Sequence, residues 1–325
     1  MLGVKGKRAM TSILDGMARA YLHYDVFTSE PFTGNQLAVF LDGRGLLPER
    51  MQSIAREMGF SETTFIMPAE TAGTDIRMRI FTPGVELPMA GHPTIGSTFA
   101  LAQAGMIKPG MEQFVFGLGI GPTPVALEWD ASTEAGQAAS RRLRFAWMTQ
   151  RAPEFGLIVQ DRQAVAAALG VRRDDLAGDL PIQQVSCGVP FLFVPMATRA
   201  AVDRAVSEAA PLRRLGEAIG VNLPVFLFTT EPGVPEATVY SRMFSPQFDV
   251  AEDPATGGAS GPLGSYLVHY GLVRADAQQR MLSLQGHVMG RPSRIHIRVG
   301  GSRDNITSVE VGGEAVLVAR GEMVV

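Results

Sequence analysis

Glu62, His92 and Asp253 are the residues of this chain whose types and settings could move a proton. Asp253 stands in "EDPATGGASGPLGSYLV" (Glu252 to Val268), an acidic pair and a Pro ahead of a small-residue run that opens a helix. "MAGHPTIGSTFALA" (Met89 to Ala102) has the same grammar, with His92 in place of the acids and Pro93 at a position suited to N1. Taken alone, an Asp before a helix reads as an N-cap, and a His there as structural. Two such residues in equivalent loops shift the reading to a proton-transfer site. Glu62 lies at a helix-to-strand corner, "GFSETTFIMP", between Ser61 and two threonines. An ordinary exposed turn glutamate is its alternative reading.

The glycines at the two helix mouths also admit two readings. Gly96, Ser97 and Ala100 in one stretch, and Gly257, Gly258, Ala259, Ser260 and Gly261 in the other, let backbone approach backbone where a curved sheet wraps a helix. Glycine inside a helix costs up to about 1 kcal/mol relative to alanine, so several together need compensation. Close packing is one compensation. The other is anion binding: a helix N-terminus presents unpaired N–H groups and positive dipole, which a small carboxylate could touch where no Cβ intervenes.

The elements that must position these residues repeat. "AYLHYDVF" and "LAVFLD" read as strands, "LPERMQSIAREMG" as an amphipathic helix stopped by Gly59, "TTFIMP" and "DIRMRIFTP" as strands, and "TIGSTFALAQAG" as a helix ended by Gly105. Later, "QQVSCGVPFLFVP" reads as a strand pair, "AAPLRRLGEAIG" as a helix, "PVFLFTT" and "ATVYSRMFSP" as strands, then the Asp253 motif and a helix stopped at Gly271. "RIFTP" (Arg79 to Pro83) matches "RMFSP" (Arg242 to Pro246), and "REMGFSETTFIMP" matches "GEAIGVNLPVFLF". The second copy of the Glu62 corner has no acid, so the copies are chemically unequal. This predicts an α+β fold of two pseudo-symmetric halves, each a curved antiparallel sheet around a central helix, with the site in the cleft between them. The halves run 21–137 and 138–325, divided in "EWDASTEAGQAASRRLRF"; residues 1–20 are an N-terminal extension. "SRIHIRVG" and "ITSVEVGGEAVLVARGEM" close the chain as hairpins turning at Gly312-Gly313.

Composition removes several classes. With 325 residues, 46% hydrophobic and 19% charged, the chain has ample material for cores. A net charge of −3 argues against a nucleic-acid partner. No stretch reaches the roughly 18 apolar residues of a membrane span, and no secretory apolar region opens the chain. The single cysteine, Cys187, allows neither an internal disulfide nor a multi-cysteine metal site. The expectation is a cytoplasmic homodimer acting on a small-molecule carboxylate.

The stretches "HYDVFTSEPFTGNQLAVF", "GFSETTF", "IFTPGVELPMAGHPTIGS", "EDPATGGASGPLGSYLV" and "QGHVMGRPSRI" closely resemble the PhzF-like phenazine-biosynthesis family. The resemblance spans nearly the whole chain after residue 20. It implies the diaminopimelate-epimerase-like fold. Epimerases of that fold use one thiol from each half; with Cys187 alone, a two-thiol racemase mechanism is unavailable. The resemblance implies instead an isomerase of the trans-2,3-dihydro-3-hydroxyanthranilate type. Glu62 would move the proton, and His92 and Asp253 would line the pocket and tune or relay it. Ser61, Gly91, Thr256, Gly257 and Gly258 would contact substrate. No metal, flavin or nucleotide motif is found, and no cofactor is expected. Two positions depart from the family pattern: Gly258 stands where "DPATGS" has serine, and Gln36 where "GNP" has proline. The serine loss points to a related carboxylate substrate. Two other readings stay open: a hydrolase or lyase using Glu62 or Asp253 as general base, though without a GxSxG elbow, and a non-catalytic carboxylate-binding protein.

Overall fold

The computed structural model describes residues 18–130, 141–246 and 250–325. The expected division between 137 and 138 and most of the expected extension lie outside the described residues. The first strand, β1 (Ala18–Val26), begins three residues before Tyr21, so the last residues assigned to that extension are strand.

Among the described residues, eighteen strands hydrogen-bond into one continuous sheet. The N-terminal part runs β1, β2 (Asn35–Phe40), α1 (Pro48–Met58), β3 (Glu62–Met67), β4 (Ile76–Phe81), β5 (Glu86–Leu87), α2 (Gly91–Gln103), β6 (Gln113–Leu118), β7 (Gly121–Trp129) and β8 (Leu143–Gln150). The chain continues through β9 (Glu154–Val159), α3 (Arg162–Ala168), β10 (Ile182–Ser186), β11 (Pro190–Pro195), α4 (Arg199–Arg204), α5 (Ala209–Ile219), β12 (Val225–Thr229), β13 (Val239–Ser245) and β14 (Val250–Asp253). It ends with α6 (Gly257–His269), β15 (Met281–Gln285), β16 (Ser293–Ser302), β17 (Asn305–Gly313) and β18 (Ala315–Val324).

Pairing senses recur in order. Around α1, β2 pairs parallel with β3, and β3 antiparallel with β4; around α5, β11 pairs parallel with β12, and β12 antiparallel with β13. Across α2, β4 pairs parallel with β6; across α6, β13 pairs parallel with β15. A bidentate ion pair recurs with them. Arg79 donates to Glu86 at 2.7 and 2.6 Å, and Arg242 to Glu252 at 2.8 and 2.7 Å.

The helices divide into two kinds for a compositional reason. α1 and α5 are amphipathic and lie outside, burying Met51, Ile54 and Ala55 in one and Leu212, Leu215 and Gly216 in the other. Each ends as expected on a left-handed glycine, Gly59 at φ 65° and Gly220 at φ 75°. α2 is buried from Gly91 through Leu101, and α6 from Gly257 through Val268. Apolar or small on every side, they can only be central. Gly96 sits so close to β1 and β2 that a Cβ would lie 2.6 Å from Val26 and Leu37 side chains; at Gly264 it would lie 2.5 Å from Ile297.

The chain terminus corrects one expectation. β16 and β17 form the expected hairpin, but Gly312-Gly313 is not a turn between β17 and β18. Both glycines are strand, paired to Trp147 and Ala146 of β8. A Cβ at Gly312 would enter the Trp147 and Phe145 rings, and one at Gly313 the Phe27 ring. After Glu314 the chain crosses over, and β18 pairs antiparallel with β1 from Ala315 to Val324. Strand composition cannot distinguish these partners, because both are long, alternating edges.

Candidate active site

The two central helices meet end to end. A Cβ at Gly91 would lie 2.5 Å from the Gly257 Cα, and a Cβ at Gly257 would lie 2.8 Å from the Phe27 ring. Packing alone therefore requires these two glycines. Neither helix has a side-chain cap: Ala90 and Thr256 occupy the N-cap positions without a capping bond. The first N–H groups of both helices therefore meet at one place with no capping oxygen. Pro93 is the third residue of α2, not the first, and Asp253 is no N-cap. It ends β14, and its carboxylate faces inward.

Above this junction is a pocket of about 380 Å³. Glu62, His92, Asp253, Gly91, Thr256, Gly257 and Gly258 all line it, against apolar walls that include Met89, Phe191 and Met243. Ser61 does not line the pocket; its hydroxyl hydrogen-bonds to Asp253. Among the described residues, no lysine or arginine lines the cavity.

Four elements bring the charged residues together. Glu62 opens β3, His92 is the second residue of α2, Asp253 ends β14, and Asn35 opens β2. One ligand-capable atom from each of Glu62, His92 and Asp253 falls within 4.8 Å of the others. His92 Nε2 is 3.2 Å from Glu62 Oε2, not aligned as a hydrogen bond, and neither atom has another partner. Asp253 is fully engaged: Oδ1 accepts from Asn35 Nδ2 at 2.7 Å and Oδ2 from the Thr256 hydroxyl at 2.6 Å. Gln285 braces the same corner, donating to the Asp253 carbonyl at 2.7 Å and to Thr256 Oγ1 at 2.9 Å. Such a cluster could be read as a metal site. Its donor set fits poorly, because Asp253's oxygens are taken by protein donors and only Glu62 and His92 offer free atoms.

Burial sets the proton affinities. It pushes the Glu62 carboxyl well above the usual carboxylate range, and the nearby Asp253 charge adds to that. Burial likewise pushes Asp253 up to about 6, although hydrogen bonds from Thr256, Asn35 and Ser61 pull the other way. It holds His92 down at about 3, so its ring is neutral at physiological pH. An exposed turn glutamate would show none of this. Cys187 lies elsewhere: it is fully buried, its thiol is pushed up to about 12, and its neighbour is Ser265 at 3.9 Å.

Reading single residues missed Asn35, Gln285 and Gln150. Asn35 was hidden in turn-like "FTGNQ", within a stretch that carries the family resemblance. Gln150 donates to the Gly257 carbonyl at 2.9 Å from β8. Only the folded register brings the two glutamines to the helix ends.

The comparisons with known proteins cover nearly the whole chain. Residues 24–321 match the model of the phenazine biosynthesis-like protein family. An uncharacterised isomerase of Mesorhizobium japonicum is 36% identical, over 94% of this chain and 98% of its own. The trans-2,3-dihydro-3-hydroxyanthranilate isomerase of Pseudomonas aeruginosa is 33% identical, over 93% and 98%. Among solved structures, a Bacillus anthracis phenazine biosynthesis protein of the PhzF family superposes with a TM-score of 0.80 at 27% identity, covering 95% of this chain and 99% of that one. A hydroxyproline epimerase from Agrobacterium vitis shares the fold, with a TM-score of 0.62 at 12% identity over 94% and 92%. The chain belongs to the phenazine biosynthesis-like protein family and is an isomerase of mixed α+β fold.

Proposed function

We propose that the enzyme shifts a proton within a small cyclic carboxylate, with Glu62 as the acid/base. The observation that carries this is the convergence of Glu62, His92 and Asp253 in a largely apolar pocket, with the proton affinity of Glu62 raised well above the usual carboxylate range by burial. A base with an affinity raised toward working pH both takes and returns a proton effectively. Glu62 removes a proton from one ring carbon and delivers one to another. The neutral His92 ring lies beside its second oxygen, and the nearby Asp253 charge keeps its proton affinity high. The substrate carboxylate lies against the uncapped N–H groups at Gly91 and Gly257, since no lysine or arginine among the described residues lines the cavity.

The recurrent pairing senses, the two central helices and the duplicated Arg79–Glu86 and Arg242–Glu252 pairs support reading the fold as two pseudo-symmetric halves. The site then lies where the copies of the helix mouth abut, and only one copy carries the acid. We further propose a cytoplasmic homodimer; among the described residues no helix is long and apolar enough to cross a membrane.

The test is to incubate wild type and Glu62→Gln with trans-2,3-dihydro-3-hydroxyanthranilate in D₂O and follow ring deuteration by NMR. The amide is nearly isosteric but exchanges no proton, so the variant should lose turnover by roughly 100-fold or more while keeping its fold. Turnover at the wild-type rate would remove Glu62 from the chemistry.

A further inference from the structure

The matched stretches "RIFTP" and "RMFSP" put Thr82 and Ser245 in corresponding places, and both residues line the pocket. Phe81 pairs with Thr63 and Phe244 with Val225, so each hydroxyl residue follows the same rung of its ladder. The two hydroxyls are used differently. Thr82 closes its own turn: Oγ1 donates to the Val85 carbonyl at 3.0 Å and accepts from the Gly84 and Val85 N–H groups at 3.2 and 2.9 Å. One donor and two lone pairs are then spent, and nothing is left for a ligand. Ser245 precedes a proline in the same way and is 5% exposed, yet its hydroxyl makes no hydrogen bond with the described residues. Nor is its oxygen sealed in, as the unpaired Thr63 Oγ1 is, so the part of Ser245 that stays accessible opens into the pocket. An unpaired hydroxyl in a largely apolar wall costs stability until something pairs with it.

Register fixes where this hydroxyl stands. On β13, Met243 pairs with Asp253 and Ser245 with Val250, and strand alternation puts Met243 and Ser245 on one face. β14 runs toward α6, so Val250 and its partner Ser245 lie at the end away from the helix mouth. Two residues of strand place Ser245 about 7 Å beyond the Asp253 rung. The pocket thus has uncapped N–H groups at one end, the apolar Met89, Phe191 and Met243 along its walls, and one uncommitted hydroxyl further out. We propose, resting on the proposed seat of the carboxylate at the helix mouths, that Ser245 is a specificity-determining residue whose hydroxyl binds a second oxygen of the substrate, on the part of the ring remote from the carboxylate. A serine hydroxyl both donates and accepts, so it receives a ring hydroxyl or a ring carbonyl equally. The substrate class is then a cyclic carboxylate oxygenated at a remote ring position, with an apolar body between its two polar ends.

The experiment is isothermal titration calorimetry of the full chain with three aromatic carboxylates that cannot undergo the proton shift: benzoate, 3-hydroxybenzoate and 4-hydroxybenzoate. The wild type should bind at least one hydroxybenzoate about 3- to 10-fold more tightly than benzoate, the range for one hydrogen bond to an otherwise unpaired hydroxyl. Ser245→Ala should abolish that preference, bringing the ratio of the two affinities to about one. Equal affinities in the wild type overturn the assignment, whether or not any variant folds. An undiminished ratio in folded Ser245→Ala also overturns it, since the ring oxygen is then held elsewhere. In both cases benzoate still binds and the carboxylate seat stands. Failure of the carboxylate seat looks different: none of the three acids binds, and the role of Ser245 falls with it.

Discussion

At the scale of single residues, the site is governed by how burial divides protons among neighbours. In the proposed mechanism Glu62 must be ionised to take a proton from carbon, and its affinity is raised by burial and by Asp253. The rate should therefore fall as pH drops through a value well above that of an ordinary glutamate. Asp253→Asn removes the neighbouring negative charge, so the acidic limb of kcat/KM should move to lower pH even where the rate is reduced. A limb that stays put would separate the two carboxyls electrostatically. Gly258 is the exception among the glycines of the α6 mouth. A Cβ there meets nothing closer than the Phe191 ring at 3.9 Å, whereas at Gly261 it would lie 2.8 Å from Gln150 Cδ. Gly258→Ser should fold and gain about 0.5 kcal/mol from helix propensity, and place a hydroxyl in the pocket. We predict faster isomerisation of trans-2,3-dihydro-3-hydroxyanthranilate than by wild type at equal folded concentration. Equal rates would mean that Gly258 does not set substrate choice. Cys187→Ala should leave turnover within about twofold, because the thiol is buried beside Ser265 and outside the pocket.

At the scale of elements, the decisive contact is the abutment of α2 and α6. Gly91 cannot carry a side chain without pushing the two helix mouths apart, because its neighbour is backbone and cannot rotate away. Gly91→Ala should destabilise the protein by roughly 1–3 kcal/mol, the usual range for overpacking. It should also reduce turnover beyond what the lost stability explains, since both helix N-termini proposed to bind the carboxylate shift. Urea denaturation beside the activity assay reads both. Wild-type stability in this variant would show that the junction has slack.

At the scale of the molecule, β18 ties the end of the chain to its beginning. It pairs with β1 from Ala18 to Val26, leaving β1 flanked on its other side by β2. Removing residues 315–325 strips β1 of one partner and exposes a long unpaired edge. The truncated chain should melt at lower temperature and associate on size-exclusion chromatography. A monodisperse product with an unchanged melting temperature would make β18 a decoration. The placement of Phe27 gives this joint a second function. Its ring fills the space against both Gly257 and Gly313, so the strand crossover and the floor of the site share one side chain.

Much of this protein was legible in its residues taken in order. Periodicity and stop signals located α1, α5 and most strands, because amphipathic period and left-handed glycines are local properties. The matching "RIFTP" and "RMFSP" stretches marked the recurrent strand–helix units, and the two small-residue motifs pointed to helices too bare to lie on a surface. Family resemblance assigned the chemistry to Glu62, His92 and Asp253. Three things needed the tertiary structure. Glu62 reads as a turn residue until the fold buries it beside two groups from distant strands and helices; its proton affinity has no local cause. Asn35, Gln285 and Gln150 become site residues only through register, which places their amides at helix ends far away in the chain. The Gly312-Gly313 pair has hairpin composition but strand geometry, because β8 and Phe27 pack where side chains would stand. Local sequence encodes conformation and periodicity, whereas desolvation, register and strand partner are set by what the rest of the chain brings alongside.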